Sequence, residues 1–441
     1  MPEAVIVAAA RTPIGRAFKG SLVDVRPDDL AATIIGAAMG QVPQLDPSEV
    51  EDVHLGCGLP GGEQGFNMAR VVTTLLGWTT PGATVTRYCS SSLQTTRMAL
   101  HAIRAGEGDV FISAGVEMIS RYVKGNSDSL DDTRNPRFAD AEARTQRRSG
   151  EGAEPWVPLD ELPSGLADKL SGEVSHGVPQ GLPRGLPAER PKGLPGGLTE
   201  SLPDIYIPMG QTAENLAQLK GVSREAMDDF AFRSQQRYAE ATAQGFWARE
   251  ITPITLPDGS VLDADESPRA ADRAAMADLA PVFRPDGLVT AGNACPLNDG
   301  AAALVVMSDQ KARQLGITPM ARIVATSVSA LDPEIMGYGP VEATRRVLDR
   351  AGMSIGDMDI VEINEAFAAQ VLPCADDLGI DHDRLNPHGG AIAVGHPFGM
   401  TGARITTTLI NGLRHTDGTF GLETMCVGGG QGMAMIIERL S

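Results

Sequence analysis

The sequence predicts an α/β protein in which buried strands alternate with amphipathic helices. Short apolar runs such as AVIVAAA and DVFISAGV are bounded by Gly, Pro or Asp, which is typical of buried strands. Between such runs, stretches such as DDLAATIIGAAMGQV and PVEATRRVLDRAG place apolar residues at helical spacing. Because the two patterns alternate, we expect mostly parallel sheets.

The same two patterns recur along the rest of the chain. They predict further strands at AALVVMS, ARIVATSV, MDIVEINEA and GMAMIIER, and a further helix at SREAMDDFAFRSQQRYAEATAQG. Two stretches, TVTRYCSSSLQTTRMALHAI and NPHGGAIAVGHPFGMTGARITTTLINGL, each combine a strand, a Gly- or Ser-rich turn and a helix of small residues. This likeness indicates two similar halves.

One region, from about Tyr122 to Pro203, shows neither the strand pattern nor the helical spacing of apolar residues. It contains repeated Gly-Leu-Pro units, which can continue neither a helix nor a central strand. We therefore predict a surface insertion without a core of its own, which serves as a linker or flap. A partner-binding or substrate-covering arm is the alternative.

The composition restricts the classes of partner. The formal net charge is −19, whereas nucleic-acid binders and proteins that coat anionic membranes need an exposed basic field. No stretch approaches the twenty apolar residues of a membrane span, and the first residues lack a secretion signal. We expect a cytoplasmic protein that binds no nucleic acid, and an anionic substrate would need a local cluster of Arg and Lys.

The cysteines are predicted to be free thiols. Their number is odd, they are widely separated, and no secretion signal accompanies them. The chain has no CxxC pair and no HExxH motif, so we expect no metal site. The five positions are Cys57, Cys89, Cys295, Cys374 and Cys426.

Cys89 is the first candidate nucleophile. It precedes three serines and a helix with one inward apolar face. A thiol at a helix N-terminus feels the positive end of the helix dipole, so we expect a lowered pKa for Cys89. A small buried cysteine is the alternative, and this stretch alone leaves both open. The residues of the inward face are Leu93, Thr96, Leu100 and Ile103.

Three distant stretches supply further reactive groups. In GGAIAVGHPFGMTGAR, His396 is surrounded by glycines and could deprotonate a thiol or polarise a carbonyl. In ETMCVGGGQGMAMIIE, Cys426 ends a strand, and the glycines after it could present backbone N–H groups to an anion. In VEINEAFAAQ, Asn364 and Glu365 leave a buried strand. Together these stretches indicate covalent acyl chemistry.

These four blocks resemble those of the thiolase family, in the family's order. The resemblance extends to AARTPIGRAFKGSL, GEQGFNMAR, SAGVEMIS, MGQTAENLA and GLVTAGNACPLNDGAAALVVMS, and covers nearly the whole chain apart from the insertion. It implies two βαβαβαββ halves in a five-layered α-β-α-β-α body with an inserted loop domain. The N-terminal half would comprise residues 1–120 and 296–316, the loop domain 121–295 with its insertion at about 122–203, and the C-terminal half 317–441.

The resemblance also implies a role for each reactive residue. Cys89 would carry the acyl group, and His396 would activate it. Cys426 would be the acid/base that protonates the departing carbanion or, in synthesis, removes an α-proton. Asn364 would hold a water that forms one oxyanion hole with His396. The backbone N–H groups of Cys89 and Gly428 would form the other.

Coenzyme A is the implied co-substrate, and no permanently bound cofactor is expected. Arg269 resembles the family's arginine beside the adenine. Cys295 stands where the family usually has a serine, so one hydrogen bond to the pantetheine is expected to differ. The apolar wall along the pantetheine and acyl chain would be Met209, Phe283, Met336 and Phe367.

The implied function is CoA-dependent cleavage of 3-ketoacyl-CoA to acetyl-CoA and a shortened acyl-CoA, or the reverse Claisen condensation, through an acyl-cysteine. This would be an acyltransferase of lipid metabolism and fatty acid β-oxidation, acting as a homodimer or homotetramer. Pro208 stands directly before a Met-Gly pair where short-chain acetoacetyl-CoA enzymes often carry a histidine, which favours the degradative class over the acetoacetyl-CoA-specific one.

Two other classes remain as alternatives. A non-catalytic CoA-binding scaffold of the same fold would be expected to have lost Cys89, His396 or Cys426, and all three are present. A condensing enzyme of the ketosynthase type usually pairs its cysteine with two histidines, or with His and Asn.

Overall fold

The strands of both halves meet in one mixed sheet. The structure is a computed structural model and describes residues 2–122, 134–135, 138–153, 155–157 and 202–441. In these ranges ten strands join in the order β10-β11-β12-β9-β1-β8-β5-β3-β4, with β2 paired to β8, and β6 and β7 form a separate hairpin. The strands are β1 (Ala4–Arg11), β2 (Gly15–Arg16), β3 (Asp52–Gly56), β4 (Gly82–Val85), β5 (Val110–Met118), β6 (Ile254–Thr255), β7 (Val261–Leu262), β8 (Asn298–Ser308), β9 (Ala321–Ala330), β10 (Ile360–Ile363), β11 (Phe420–Val427) and β12 (Gln431–Arg439).

Helices cover both faces of the strands. The α-helices of the described residues are α1 (Pro27–Gly40), α2 (Met68–Leu75), α3 (Ser91–Ala105), α4 (Ala139–Arg148), α5 (Met209–Lys220), α6 (Arg224–Ala243), α7 (Arg273–Ala277), α8 (Asp309–Leu315), α9 (Gly339–Ala351), α10 (Ala368–Leu378), α11 (Ala391–Val394) and α12 (Thr401–Thr416).

The layers place two helices in the middle of the molecule. Helix α1 packs on β1, β5 and β8, and α3 packs on β3 and β5. In the other half α9 packs on β9 and β12, whereas α12 packs on β10 and β11. Helices α3 and α12 contact each other, and the first thirteen residues of α12 are all buried. The order helix, sheet, helix pair, sheet, helix agrees with the expected five-layered α-β-α-β-α body.

The expectation of mostly parallel sheets is wrong for the middle of the sheet. Strands β3, β4 and β5 pair in parallel, as do β10 and β11. The pairs from β11 through β12, β9, β1 and β8 to β5 are antiparallel. A three-residue turn at 428–430 joins β11 to β12, and such a short connection can join only antiparallel strands.

Most predicted elements are confirmed. The strands predicted at AVIVAAA, DVFISAGV, AALVVMS, ARIVATSV, MDIVEINEA and GMAMIIER correspond to β1, β5, β8, β9, β10 and β12. The three predicted helices correspond to α1, α6 and α9.

The prediction for the region from Tyr122 to Pro203 is partly wrong. Helix α4 lies inside it, and Trp156 is buried. The sequence of α4 shows little apolar periodicity, because polar contacts rather than an apolar face hold this helix. Arg144 donates to the carbonyl of Leu202, and Thr145 Oγ1 donates to Asp204 Oδ2 at 2.7 Å. Most of the Gly-Leu-Pro stretch falls in residues 158–201, outside the described residues.

Candidate active site

Cys89 lies in a tight turn between β4 and α3. The turn, Tyr88–Ser90, is a 3₁₀ segment, and Tyr88 has a φ of +44°, in the left-handed region. A non-glycine residue there costs on the order of 1 kcal/mol, so packing must hold it. Ser91 does so in part: its Oγ accepts from the N–H of Arg87 at 2.9 Å and donates to the carbonyl of Tyr88 at 2.6 Å. The turn therefore fixes the position of Cys89.

Cys89 is a thiol at rest and not a thiolate. Burial raises the pKa of Cys89 to about 12, the backbone N–H of Gly428 lowers it, and the nearby Glu117 raises it. The expected lowering of this pKa by the helix dipole is wrong, because loss of hydration outweighs the dipole of α3. A base must therefore take the proton when Cys89 reacts.

His396 is oriented from three sides. Its backbone N–H donates to Asn298 Oδ1 at 2.9 Å, and its Nδ1 lies 2.7 Å from Thr401 Oγ1. The Thr401 hydroxyl donates its only hydrogen to the carbonyl of Pro397, also at 2.7 Å. It can therefore only accept from His396, which assigns the proton of the neutral ring to Nδ1 and leaves a lone pair on Nε2.

Burial keeps His396 neutral. Burial, together with the smaller effect of the Arg404 charge, lowers the pKa of His396 to about 3. The side-chain N–H of Asn364 lies 3.3 Å from His396 Nε2. Asn364 Oδ1 is buried and has no hydrogen-bond partner among the described residues. It is an open acceptor, which suits the water that the sequence analysis placed on Asn364.

Cys426 ends β11 beside the same site. It is fully buried, and burial raises the pKa of the Cys426 thiol well above its ordinary value. Cys89, Cys374 and Cys295 also raise the pKa of Cys426, so these three thiols lie within range of its charge. A thiol with a high pKa can keep a proton until a stronger base appears, as an acid requires.

The turn after Cys426 brings bare backbone to Cys89. A Cβ added to Gly428 would lie 3.1 Å from the ring of Tyr88, tighter than an ordinary contact. Gly430 has a φ of +74°, and an added Cβ would lie 2.2 Å from the carbonyl oxygen of Leu331. Glycine at these positions lets the Gly428 N–H approach the sulfur of Cys89.

Most residues expected along the CoA path lie together. Cys426 and Met336 form a small apolar cluster with Met209, Cys295 and Phe367 packed against it. Most of the sequence-predicted wall thus lies beside the Cys426 thiol.

Two CoA candidates lie outside this cluster. Phe283 packs on Gly210, where an added Cβ would lie 2.2 Å from the ring, and meets Phe367 edge-on at 6.0 Å between ring centroids. Arg269 is exposed, and its Nη2 donates to the carbonyl of Ala291 at 2.8 Å. Phe283 therefore extends the apolar wall, whereas Arg269 lies on the surface.

Sequence reasoning missed three residues that support the site. Thr401 and Asn298 orient His396, and Glu117 influences Cys89. All three occur in blocks that the sequence analysis quoted. The partners of Asn298 and Glu117 are distant in sequence, and only Thr401 lies close in the chain to the residue that it orients, His396.

The described residues lack two features that would indicate other classes of protein. Within these ranges no group of three His, Cys, Asp or Glu side chains could hold a metal ion. None of the described helices has the length and apolar character needed to cross a membrane.

Family models match both parts of the chain. The model described as "Thiolase, N-terminal domain" matches residues 4–145 and 190–310. The model described as "Thiolase, C-terminal domain" matches residues 317–439. The unmatched residues 146–189 fall inside the region that the sequence analysis assigned to an insertion.

Characterised relatives align over the full chain. A beta-ketoadipyl-CoA thiolase of Acinetobacter baylyi is 39% identical over 454 residues, with 100% of both chains covered. A 3-oxoadipyl-CoA/3-oxo-5,6-dehydrosuberyl-CoA thiolase of Escherichia coli and a 3-ketoacyl-CoA thiolase of Shewanella frigidimarina are each 40% identical, again with 100% of both chains covered.

Solved structures resemble the fold over its whole length. The acetyl-CoA acetyltransferase of Bacillus anthracis has a TM-score of 0.79 at 35% identity, covering 100% of this chain and 99% of that one. Human mitochondrial 3-ketoacyl-CoA thiolase in complex with CoA has a TM-score of 0.78 at 33% identity, covering 100% and 98%.

Proposed function

Since the chain belongs to the thiolase family, we propose that it cleaves 3-ketoacyl-CoA with free CoA, giving acetyl-CoA and a shortened acyl-CoA through an acyl group on Cys89. One observation carries this proposal. Cys89 and Cys426 come from distant blocks and are buried within range of each other's charge, and His396, from a third block, is buried as a neutral imidazole. A structural cysteine needs neither a neutral histidine nor a second buried thiol within range of its charge.

In the first step Cys89 attacks the 3-keto carbon. His396 Nε2 takes the thiol proton as the S–C bond forms, because the high pKa of Cys89 and the low pKa of His396 disfavour a free ion pair. The backbone N–H groups of Cys89 and Gly428 hold the resulting oxyanion.

The second step breaks the bond between C2 and C3. The electron pair goes to C2 of the leaving acetyl-CoA as an enolate, whose oxygen is held by protonated His396 and a water on Asn364. Cys426 then gives its thiol proton to C2. Acetyl-CoA leaves, and the shortened acyl group stays on Cys89.

The third step regenerates the enzyme. The Cys426 thiolate takes the proton of an incoming CoA thiol, whose sulfur attacks the acyl carbon on Cys89. The Cys89 sulfur leaves and recovers its proton from His396. Ping-pong kinetics follow, because acetyl-CoA departs before free CoA reacts.

Replacing the nucleophile tests this proposal. We expect Cys89→Ala to abolish turnover and to abolish the acyl adduct seen by intact-protein mass spectrometry after mixing with a 3-ketoacyl-CoA. Cys374→Ala is the matched control, because Cys374 is equally buried and its Sγ contacts the carbonyl of Gly337. It should keep both adduct and turnover. An adduct that persists in Cys89→Ala would overturn the assignment.

We propose a degradative enzyme of fatty acid β-oxidation with broad chain-length range. Pro208, directly before helix α5, supports this reading over an acetoacetyl-CoA-specific one. Thiolysis rates for 3-ketoacyl-CoA esters of increasing length provide the test. We expect turnover to continue beyond four carbons, and strict preference for acetoacetyl-CoA would overturn the assignment.

A second candidate is cleavage of 3-ketoacyl-CoA esters whose chain ends in a carboxylate. Arg284 favours it. Arg284 lines a small pocket that also contains Arg148 and Glu334. Its guanidinium donates to Gln211 Oε1 and Asn215 Oδ1, and no carboxylate of the described residues lies within ion-pair distance of it. Comparing 3-oxoadipyl-CoA with 3-oxohexanoyl-CoA isolates the terminal carboxylate. A higher kcat/KM for the first would establish the candidate, and a lower one would exclude it.

We further propose a cytoplasmic homodimer. Within the described residues β4 pairs only with β3, so its outer edge is open, and side chains beside it are apolar and exposed. The apolar side chains beside β4 are Phe66, Val71, Leu75 and Tyr88. Light scattering after gel filtration tests this assembly, and a monomer would contradict it.

The division into an N-terminal half, a loop domain at 121–295 and a C-terminal half at 317–441 stays a proposal.

A further inference from the structure

Glu117 is a buried carboxylate that the reaction above does not use. It lies near the end of β5 with no exposed surface, and no Lys or Arg of the described residues forms an ion pair with it. Its Oε2 accepts from the backbone N–H of Gly58 at 2.7 Å and of Gly399 at 2.8 Å. Its Oε1 accepts from the N–H of Leu59 at 3.2 Å and from Gln64 Nε2 at 2.8 Å.

The four donors indicate an ionised carboxylate. All four are N–H groups, and the Cys57 thiol is a fifth, weaker donor to Oε1 at 3.9 Å, so a proton on either oxygen would face a donor and displace one of these hydrogen bonds. Burial raises the pKa of Glu117, and the four donors lower it. A buried charge without a paired cation costs free energy of folding, which the hydrogen bonds from these donors must offset.

One of the donors belongs to the His396 segment. Gly399 follows His396 by three residues, and the fit there is tight: a Cβ added to Gly399 would lie 2.3 Å from the carbonyl oxygen of Val116. Glu117 therefore attaches the C-terminal half, at the base of the reaction, to β5 of the N-terminal half.

Two other donors belong to the loop that supports Cys89. A Cβ added to Gly58 would lie 3.3 Å from the carbonyl oxygen of Tyr88 and 2.7 Å from Cβ of Phe398. Thr86 Oγ1 donates to the carbonyl of Gly58 at 3.2 Å. The loop at Gly58 thus touches both the Cys89 turn and the His396 segment, and Glu117 holds the loop and that segment on the same oxygen.

We propose that Glu117 is a positioning residue that fixes the separation between Cys89 and His396 across the two halves of the chain. The inference rests on the proposed function only in naming Cys89 as the nucleophile. The negative charge of Glu117 has a second effect, because it disfavours a thiolate on Cys89. The other titratable groups facing this region are Cys57, whose Sγ lies 3.9 Å from Glu117 Oε1, and the thiols of Cys295 and Cys426.

The variant Glu117→Gln tests the positioning effect and the charge effect of Glu117 separately from any contribution of this residue to folding. The amide replaces one oxygen, so two of the four N–H donors face an NH₂ group in either orientation. We expect kcat to fall by about 10- to 100-fold with little change in KM, because the base is displaced from the thiol. Loss of the charge should also move the pH profile of Cys89 alkylation by iodoacetamide to lower pH, by about one unit.

A second variant and a control complete the experiment. Glu117→Asp keeps the charge on a shorter arm, so its alkylation profile should stay near wild type while kcat remains low. Glu423→Gln is the control: this carboxylate is equally buried in β11 but bonds Thr406, at 2.8 Å. Its alkylation profile should match wild type.

Alkylation of Cys89, followed by peptide mass spectrometry, does not depend on thiolase turnover. A protein that is inactive on 3-ketoacyl-CoA would refute the proposed function without affecting this readout. An alkylation profile unchanged in Glu117→Gln, or a kcat within about twofold of wild type, would overturn the role of Glu117.

Discussion

At the scale of single residues, one hydroxyl decides which nitrogen of His396 acts as the base. Thr401 occupies the first position of α12 and gives its hydrogen to Pro397. It therefore presents only lone pairs to Nδ1, and Nε2 carries the lone pair that takes the thiol proton once the Asn364 amide, 3.3 Å away, gives way. After proton transfer both nitrogens carry hydrogen, and Nδ1 keeps the same partner, so the ring need not turn during the reaction.

Removing that hydroxyl should impair the base. We expect Thr401→Val to lower kcat by about 10- to 100-fold with little change in KM, because buried Nδ1–H loses its acceptor and the other tautomer gains weight. Thr401→Ser keeps the hydroxyl and should stay within about threefold of wild type. Steady-state kinetics check both variants, and wild-type kcat in Thr401→Val would contradict the assigned tautomer.

The candidate reactive residues could be proposed from the sequence, but their protonation could not. Cys89, His396 and Cys426 stand in stretches whose glycines and serines mark unusual backbone. The pKa of Cys89 depends on how deeply the fold buries it, which outweighed the local dipole. The partners Thr401, Asn298 and Glu117 likewise follow from tertiary packing.

At the scale of the elements, two neighbouring strands carry buried carboxyl groups side by side. Glu362 of β10 and Glu423 of β11 face each other in the parallel register. Arg404 of α12 is fully buried near them, and its Nε and Nη1 have no hydrogen-bond partner among the described residues. Burial raises the pKa of Glu362 to about 8, and the charge of Arg404 opposes this.

Neutralising Glu362 should stabilise the protein at neutral pH. The folded state keeps the proton of Glu362 up to about pH 8, whereas an unfolded carboxyl loses it near 4.5. The wild type therefore loses stability as pH rises through this window. We expect Glu362→Gln to gain on the order of 2 kcal/mol at pH 7.5 and almost nothing at pH 4.5. Urea unfolding at the two pH values measures this, and an equal difference at both would contradict it.

Long periodic elements could be predicted, whereas most short ones, β10 excepted, could not. Helices α1, α6 and α9 and the buried strands β1, β8 and β9 have enough residues to show a period. Strands β3 and β4 have only five and four residues, and β4 is only half-buried, so neither shows a period. Helix α4 is held by polar contacts that leave no apolar stripe.

At the scale of the whole molecule, a buried ion cluster joins three parts of the chain. Arg11 of β1 binds Glu250 through Nε at 2.6 Å and Asp265 through Nη1 at 2.7 Å. Glu250 also accepts from Thr408 Oγ1 at 3.1 Å and from Asn411 Nδ2 at 3.3 Å, both on α12. The two carboxylates raise the pKa of Arg11 although burial opposes them.

Breaking this cluster should be costly. We expect Arg11→Met to destabilise the protein by about 3–5 kcal/mol, because Glu250 and Asp265 would remain buried without a cation. Arg313→Met is the matched control. Its pair with Asp309 is also close, at 2.7 Å, but exposed, so the loss should be below about 1 kcal/mol. Denaturant unfolding compares them, and similar losses would contradict a structural role for the cluster.

The pairing of β1 with β8 also limits the rate at which the chain can fold. Ala4 lies opposite Ser308 and Arg11 opposite Ala302, so neighbours in the centre of the sheet are separated by almost the entire first two thirds of the chain. Closing so long a loop precedes any gain from the strand pairing, and proteins dominated by such distant contacts fold slowly. Until β8 arrives, β1 and β5 present open edges that can pair with other chains. Refolding should therefore be slow and sensitive to protein concentration.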